Sequence, residues 1–356
     1  MAAETALSHD STAPSKRVLV TGANGYLGSH IVNQLLSSGH SVHACVRDAS
    51  LESSVAHLKS LPGAEHRLHL FSVGDLAQAT DATRPFDKPM KQCHAVIHSA
   101  TPLSTSSGSK SDGEAQIFDP AMTSTREILT CIERNADTVQ CLVLTSSMSA
   151  VAPRPEPAIK DESHWSDSEA QKAHQNWYGA TKTCQEQMVR EWVQTAKCKG
   201  TVSSQDFVYA AICPTVIVGP GLRESDNVKS VGGTMGNLVG WLQGGMSEVP
   251  NDSMSFIHVD DCAKMHARIL SLTNADINPH KRYMNVIESL HWNDIMDMLK
   301  ELYPPLPDYK KNVSDKLAKP TQFNLNNMKS LGVPHRSTRE TLEDSIRYLR
   351  EMQGLD

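Results

Sequence analysis

The chain has 356 residues, 34 basic and 40 acidic, for a net charge of −6. Neither sign is gathered into a long run, which excludes nucleic acid and anionic membrane surfaces as principal partners. No apolar stretch approaches the length of a membrane span, and the length suits one large domain or one and a half with a sizeable core.

Met1 to Ser15 is small and polar, with Glu4 and Asp10 and no apolar signal core, so a disordered tail is expected over 1–15. Val18 to Val20 predicts a first strand ending at Thr21. Glycines at 22, 25 and 28 follow, then a helix with Ile31, Val32, Leu35 and Leu36 on one face. Strand, glycine turn and helix make a phosphate cradle: glycines let backbone approach a pyrophosphate, and the amides of the helix start attract its charge. Gly39 closes that helix, Ser41–Val46 is a second strand, and a helical stretch runs to about Leu61. Arg67–Phe71 and Ala95–His98 are the next strands, the second entering the turn Ser99–Pro102, with a Ser/Gly-rich loop from Ser104 to Asp112. Pro120–Asn135 has helical periodicity, its apolar face being Met122, Ile128, Leu129 and Ile132. Cys141–Leu144 is a fifth strand, running into Thr145-Ser146-Ser147, and Ala152–Ile159 is a proline-rich loop. Ala173–Lys197 reads as one long helix, Thr195–Gln205 as a surface insertion, and Val208–Cys213 as a sixth strand ended by Pro214.

Beyond Pro220 the alternation weakens. Val231–Gly245 predicts a mobile loop-and-helix insertion, and Ser255–Val259 a strand leading into a helix capped by Asp260 or Asp261. Arg282–Ile287 is a further strand, and the helices Trp292–Tyr303 and Thr338–Gln353 follow. Short apolar strands alternating with helices specify an α/β fold, a Rossmann-type doubly wound parallel sheet covered on both faces. Residues 16–220 and 255–290 are assigned to the dinucleotide-binding domain, and 221–254 with 291–356 to a smaller, mostly helical C-terminal substrate-binding lobe. Eight scattered cysteines without a Cys-x-x-Cys pair give no metal or redox motif, and free thiols fit a cytoplasmic protein.

In such sheets ligands sit beyond the carboxyl ends of the strands. Arg47 follows the second strand where an NAD enzyme would place an acidic side chain, and a bidentate cation there suits the 2′-phosphate of NADP. The competing reading is a solvated arginine paired with Asp48. Asp75 and Leu76 are placed to touch adenine, with a turn cap as the alternative for Asp75. Tyr178-Gly-Ala-Thr-Lys182 puts a phenol and an ammonium on one helical face. A neighbouring cation stabilises phenolate and lowers a pKa that is otherwise near about 10. Ser147, at the end of the fifth strand, completes a carbonyl-polarising group with Tyr178 and Lys182.

These stretches together resemble the extended short-chain dehydrogenase/reductases, in the branch of dihydroflavonol reductase, cinnamoyl-CoA reductase and the fungal aldehyde/ketone reductases. The likeness is carried by Val18–Gly28, Val46-Arg47-Asp48, Gly74-Asp75-Leu76, Val96–Pro102, Leu144–Ser147, Asp161–Asp167, Trp177–Lys182, Ile212–Pro220 and Phe256–Asp261, in family order. The resemblance implies an enzyme in which Ser147 holds the substrate carbonyl, Tyr178 donates the proton, and Lys182 holds the nicotinamide ribose and depresses the tyrosine pKa. Ser146 is the rival serine, set aside because the family uses the second of the pair. It further implies that Gly22, Ala23, Asn24, Gly25, Tyr26 and Leu27 line NADP(H), together with Ser99, Ala100, Thr101, Pro214, Thr215, Val216 and Ile217. His98 and His258 are expected to be structural. Three departures bear on the strictness of NADP over NAD, in the first case, and on the substrate, in the other two. Ser53-Ser54 stand where a second 2′-phosphate lysine is common, and Ala152-Pro153 where plant dihydroflavonol reductases carry an asparagine. The Asn-Trp-Tyr-Cys signature of the cinnamoyl-CoA reductases is broken by Gly179, which argues against thioester reduction. An NADPH-dependent carbonyl reductase is expected, a monomer or homodimer. Its small apolar or aromatic substrate would be enclosed by 102–106, 148–153 and 222–245, with Met148, Leu222, Val228, Met235 and Trp241 nearby. The alternatives are a hydroxysteroid dehydrogenase, a sugar-nucleotide epimerase or dehydratase, and a non-catalytic NADP-sensing regulator.

Overall fold

A computed structural model describes residues 14–78, 82–101, 113–223 and 227–355. The expected N-terminal tail, except Pro14 and Ser15, and the Ser/Gly-rich loop lie outside them. Strands β1 (Arg17–Thr21), β2 (Ser41–Val46), β3 (Leu68–Ser72), β4 (Ala95–His98), β5 (Cys141–Thr145), β6 (Val208–Pro214), β7 (Val216–Val218), β8 (Ser253–Met254), β9 (Phe256–His258), β10 (Arg282–Asn285) and β11 (Leu290–His291) are joined, among the described residues, by twelve α-helices. These are α1 (Tyr26–Ser37), α2 (Glu52–Lys59), α3 (Ala64–Arg67), α4 (Asp87–Met90), α5 (Asp119–Arg134), α6 (Ser168–Ala173), α7 (Trp177–Lys199), α8 (Gly233–Leu242), α9 (Val259–Ile269), α10 (Trp292–Leu302), α11 (Asn326–Ser330) and α12 (Thr338–Arg350).

Seven strands form one parallel sheet in the order β10-β6-β5-β4-β1-β2-β3. The chain runs outward from β1 through β2 and β3, then returns to β4 on the other side of β1. The β1–β4 junction is therefore the point where strand order reverses and a crevice opens. Both faces are covered. Val18 and Val20 pack with α1 and α9 on one side, and Leu19 with α5 and α7 on the other. That is why strand residues read as continuous apolar runs instead of alternating. A third core joins β7, α8, β9, α10 and α12 through Val218, Leu238, Phe256, Ile295 and Ile346.

The structure departs from the sequence reading at several points. The long helix expected from Ala173 is two helices. The side chain of Asn176 caps α7 by accepting from the Gly179 amide at 3.0 Å, and Gln175 takes φ +55° at the break. Helical periodicity continues through such a break, so a pattern cannot reveal it. At its other end α7 runs on to Lys199, into the segment expected as an insertion. The cap of α9 is His258, whose ring accepts from the Asp260 amide. Asp260 and Asp261 lie in the first turn, where Asp260 binds His30 at 2.6 Å and Asp261 binds Arg336 at 2.6 Å. Finally, Phe256–His258 pairs with Val216–Val218 outside the main sheet, because β10 already occupies the edge of β6. Residues 233–242 of the expected insertion form a packed helix with Met235, Leu238, Val239 and Leu242 buried. Val228 and Met235, expected beside substrate, belong to the third core.

Candidate active site

The glycine turn is fixed by close backbone approach. Gly22 sits at φ +64°, where a Cβ would lie 3.1 Å from Ala100 Cα. A Cβ at Gly28 would lie 2.1 Å from the Gly22 carbonyl oxygen, which no real contact allows. Thr21, which the sequence reading passed over, stitches β1 to the end of β4: its Oγ1 accepts from the amides of Ser99 and Ala100, each at 3.1 Å. Its signal was only its place as the polar last residue of an apolar strand.

Beyond these strand ends opens a cavity of about 390 Å³. Of the residues expected at a cofactor, Gly22, Asn24, Arg47, Asp75, Leu76, Ala100 and Thr101 line it. Thr21, Asp48, Ser54 and Gly74 also line it. Arg47 is exposed, while the Asp48 carboxylate accepts from the amide and hydroxyl of Ser50. Those hydrogen bonds hold the Asp48 pKa below the usual range. Asp75 accepts from the Ala77 amide at 3.1 Å, so turn cap and cavity wall are both its roles. Ala23, Gly25, Leu27, Ser99, Pro214, Thr215, Val216 and Ile217 do not line this cavity, although the Ser99 hydroxyl binds the Thr21 carbonyl next to it. Tyr26 turns away from it: its ring packs against the third core and its hydroxyl donates to the Gly219 carbonyl at 2.7 Å.

Ser147, Tyr178 and Lys182 converge at the carboxyl end of β5. Ser147 caps the short turn Met148–Ala150, accepting from the Ser149 amide at 3.1 Å, and its side chain hydrogen-bonds the phenol of Tyr178. The helix break at Gln175 is what puts Tyr178 in the first turn of α7, one turn before Lys182. Lys182 is 3% exposed, and its Nζ donates to Thr101 Oγ1 at 2.6 Å and to the Thr145 carbonyl at 2.8 Å. Thr101 therefore joins the cavity to the cluster of Ser147, Tyr178 and Lys182. Ser146 faces the interior, donating to Glu186 Oε2 at 2.5 Å.

Titration in this cluster is governed by burial, which disfavours charge. Tyr178 keeps 37% of its surface exposed, and the rest is packed into the cluster. Burial raises its pKa and the Ser147 hydrogen bond only partly offsets this. The expected depression of the phenol by Lys182 is thus not what the structure displays. The ammonium is committed to Thr101 and Thr145, and burial pulls Lys182 itself down to about 8. His98 is held by Thr21 and Thr125 hydroxyls, and burial lowers it to about 3. It is a neutral structural residue, as is His258 in its capping role.

The described residues include no His/Cys/Asp/Glu cluster able to hold a metal and no helix long and apolar enough to cross a membrane. Residues 18–286 match the NAD dependent epimerase/dehydratase family. The chain is 31% identical over 339 residues to cinnamoyl-CoA reductase CAD2 of Medicago truncatula, spanning 94% of this chain and 95% of that one. It is 30% identical to tetraketide alpha-pyrone reductase 1 of Arabidopsis thaliana, covering 94% and 95%. Among solved structures it is similar to yeast methylglyoxal/isovaleraldehyde reductase Gre2 complexed with NADPH, with TM-score 0.77 and 23% identity over 94% and 98% of the chains.

Proposed function

The chain belongs to the NAD dependent epimerase/dehydratase family and is an oxidoreductase of the short-chain dehydrogenase/reductase type, and we propose that it reduces an aldehyde or ketone to the alcohol with NADPH. One observation carries the reading. Thr101 lines the cavity and also accepts from Lys182, on the helix whose Tyr178 phenol meets Ser147.

The residues present fit the cofactor. Glycines at 22 and 28 leave room that a Cβ would fill, and the backbone from Gly22 to Leu27 would receive the pyrophosphate at the start of α1. Exposed Arg47 suits the 2′-phosphate, with Asp75 and Leu76 beside adenine. Ser99 to Thr101, Tyr178 and Lys182 would hold the ribose end, and Pro214 to Ile217 the nicotinamide. When bound, NADPH supplies the hydride.

The chain's own groups supply placement and the proton. Ser147 donates to the substrate carbonyl oxygen, drawing electron density toward it. Tyr178 transfers its proton to that oxygen as the C=O π pair becomes the O–H bond, leaving phenolate to be reprotonated from solvent. The phenol is protonated at neutral pH and burial raises its pKa further, which suits an acid in reduction, whereas alcohol oxidation needs phenolate and higher pH. Lys182, charged below about 8, offsets the negative charge left on Tyr178. Residues 221–254 with 291–356 are proposed as the lobe closing over a small apolar or aromatic carbonyl compound, in a monomer or homodimer. Eight free thiols, six of them buried, support a cytoplasmic setting.

The test is NADPH oxidation, with the alcohol identified, across isovaleraldehyde, methylglyoxal, aromatic ketones and cinnamoyl-CoA. Turnover of an aldehyde or ketone is expected. Turnover of cinnamoyl-CoA alone would replace this reading with thioester reduction, which the first relative's name favours and Gly179 opposes. Tightly retained NAD with no carbonyl turnover would favour epimerase chemistry.

A further inference from the structure

Behind Ser147, Tyr178 and Lys182 lies a charge pair that the chemistry above leaves unused. Arg282 on β10 and Glu186 on α7 are each 1% exposed, with Nε and Oε1 2.5 Å apart. The two atoms lie off the hydrogen-bonding line, so this contact is coulombic, and the directed bonds go elsewhere. The terminal nitrogens of Arg282 donate to the Ala150 carbonyl at 2.9 Å, the His164 carbonyl at 2.5 Å, the Glu162 carbonyl at 3.3 Å and Glu186 Oε2 at 3.3 Å. Its guanidinium stacks 3.8 Å from the Trp165 ring centre. Glu186 Oε2 in turn accepts from Ser146 Oγ at 2.5 Å.

A buried ion pair is weak evidence for stability, because desolvation of both charges offsets their attraction. Position is the better explanation here, since each partner flanks a reacting group. Ser146 adjoins Ser147, Ala150 ends the turn that Ser147 caps, and Glu186 lies one helical turn beyond Lys182. We propose that Arg282 and Glu186 are positioning residues that lock the Ser147 turn to the helix face bearing Tyr178 and Lys182. This rests on the carbonyl-reductase reading.

The pair also sets the charge environment of Lys182. Burial keeps the surrounding His98 and His266 neutral, at about 3 and about 4, and pushes Tyr178 and Cys213 up. The carboxylate of Glu186, backed by Arg282, opposes the burial that lowers Lys182.

The experiment compares steady-state reduction by wild type, Glu186→Gln, Arg282→Lys and Arg282→Met, using NADPH and the carbonyl of the panel turned over fastest. Glu186→Gln keeps the shape and one oxygen for the bonds from Ser146 and the Arg282 terminal nitrogen, but loses the charge that faces Arg282 Nε. Its kcat is expected to fall roughly 10- to 100-fold with KM values within about twofold. The alkaline limb of its pH profile is expected to move down by about one unit. Arg282→Lys, which keeps charge without the fork, should retain more activity than Arg282→Met, with the limb unmoved. A folded Glu186→Gln with wild-type kcat and pH limb overturns the proposal. Should that variant fail to fold, Ser146→Ala decides: a loss of roughly threefold or more in kcat with an unmoved limb supports it, and wild-type kcat overturns it. The two ideas separate in the same assay: a wild type that turns over no carbonyl of the panel sinks the reductase reading, whereas Tyr178→Phe with full activity sinks only the assignment of that phenol as the acid.

Discussion

The two sides of the β1–β4 crevice are built from different materials. On the β1–β2–β3 side the cavity is shaped by backbone: glycines whose neighbours approach within Cβ distance, strand ends, and one exposed guanidinium at Arg47. On the β5–β6–β10 side it is side chains that do the shaping. They are buried and charged or hydroxylated, and they are tied across long sequence separations, as Lys182 is to Thr101 and Arg282 to Ala150. A backbone-built site binds by fit and fails in affinity. A site built from buried side chains acts by placed charge and fails in rate.

That contrast yields experiments, beginning with the largest effect. Lys182→Met removes an ammonium whose burial already pulls its pKa down to about 8. Its kcat should fall by roughly 10²- to 10⁴-fold, while the melting temperature stays level or rises, since a desolvated charge gives way to an apolar chain of similar length. A melting temperature lost in parallel with activity would make Lys182 a structural residue. Arg282→Met strands Glu186 in the core and should cost about 3–5 kcal/mol in denaturant unfolding. A loss under 1 kcal/mol, roughly the value of an exposed pair, would contradict its burial.

On the other side, Arg47→Ala should weaken NADPH binding by roughly 10- to 100-fold, the worth of a charge-assisted contact of about 1.5–3 kcal/mol, leaving NADH binding and kcat nearly unchanged. Equal loss for both nucleotides would remove Arg47 from the 2′-phosphate. The smallest effect is in pH. Lys182 is depressed relative to a free lysine, so its ammonium is full below about 8 and is lost as pH rises through that value. The reduction rate should therefore decline above pH 8 in wild type. A rate still level well above that pH would separate Lys182 from the reaction.

The same contrast explains what was legible in the sequence. The glycine turn, Arg47, and the Tyr178–Lys182 spacing are local patterns, so strand, turn and helix could be read off a few consecutive residues. The seven-stranded parallel sheet followed from apolar runs alternating with helices. The break at Gln175 was hidden, because Asn176 caps α7 within a stretch that stays helical in composition. The pairing of β7 with β9 was hidden too: three-residue strands carry almost no periodicity, and which edge they join depends on β10. Least visible was the ionic core. Glu186 and Arg282 lie 96 positions apart, and nothing near either residue announces the other. The direction of the Tyr178 shift was misjudged for a related reason. Helical spacing places an ammonium near a phenol but says nothing of burial, or of the Thr101 and Thr145 oxygens that claim the ammonium first.

The central claim is that the phenol of Tyr178 is the proton donor for carbonyl reduction. Single-turnover NADPH oxidation by Tyr178→Phe, with cofactor and carbonyl both saturating, tests it most directly. The account predicts intact NADPH binding and a hydride-transfer rate reduced by roughly 10²-fold or more; a rate equal to wild type would contradict it.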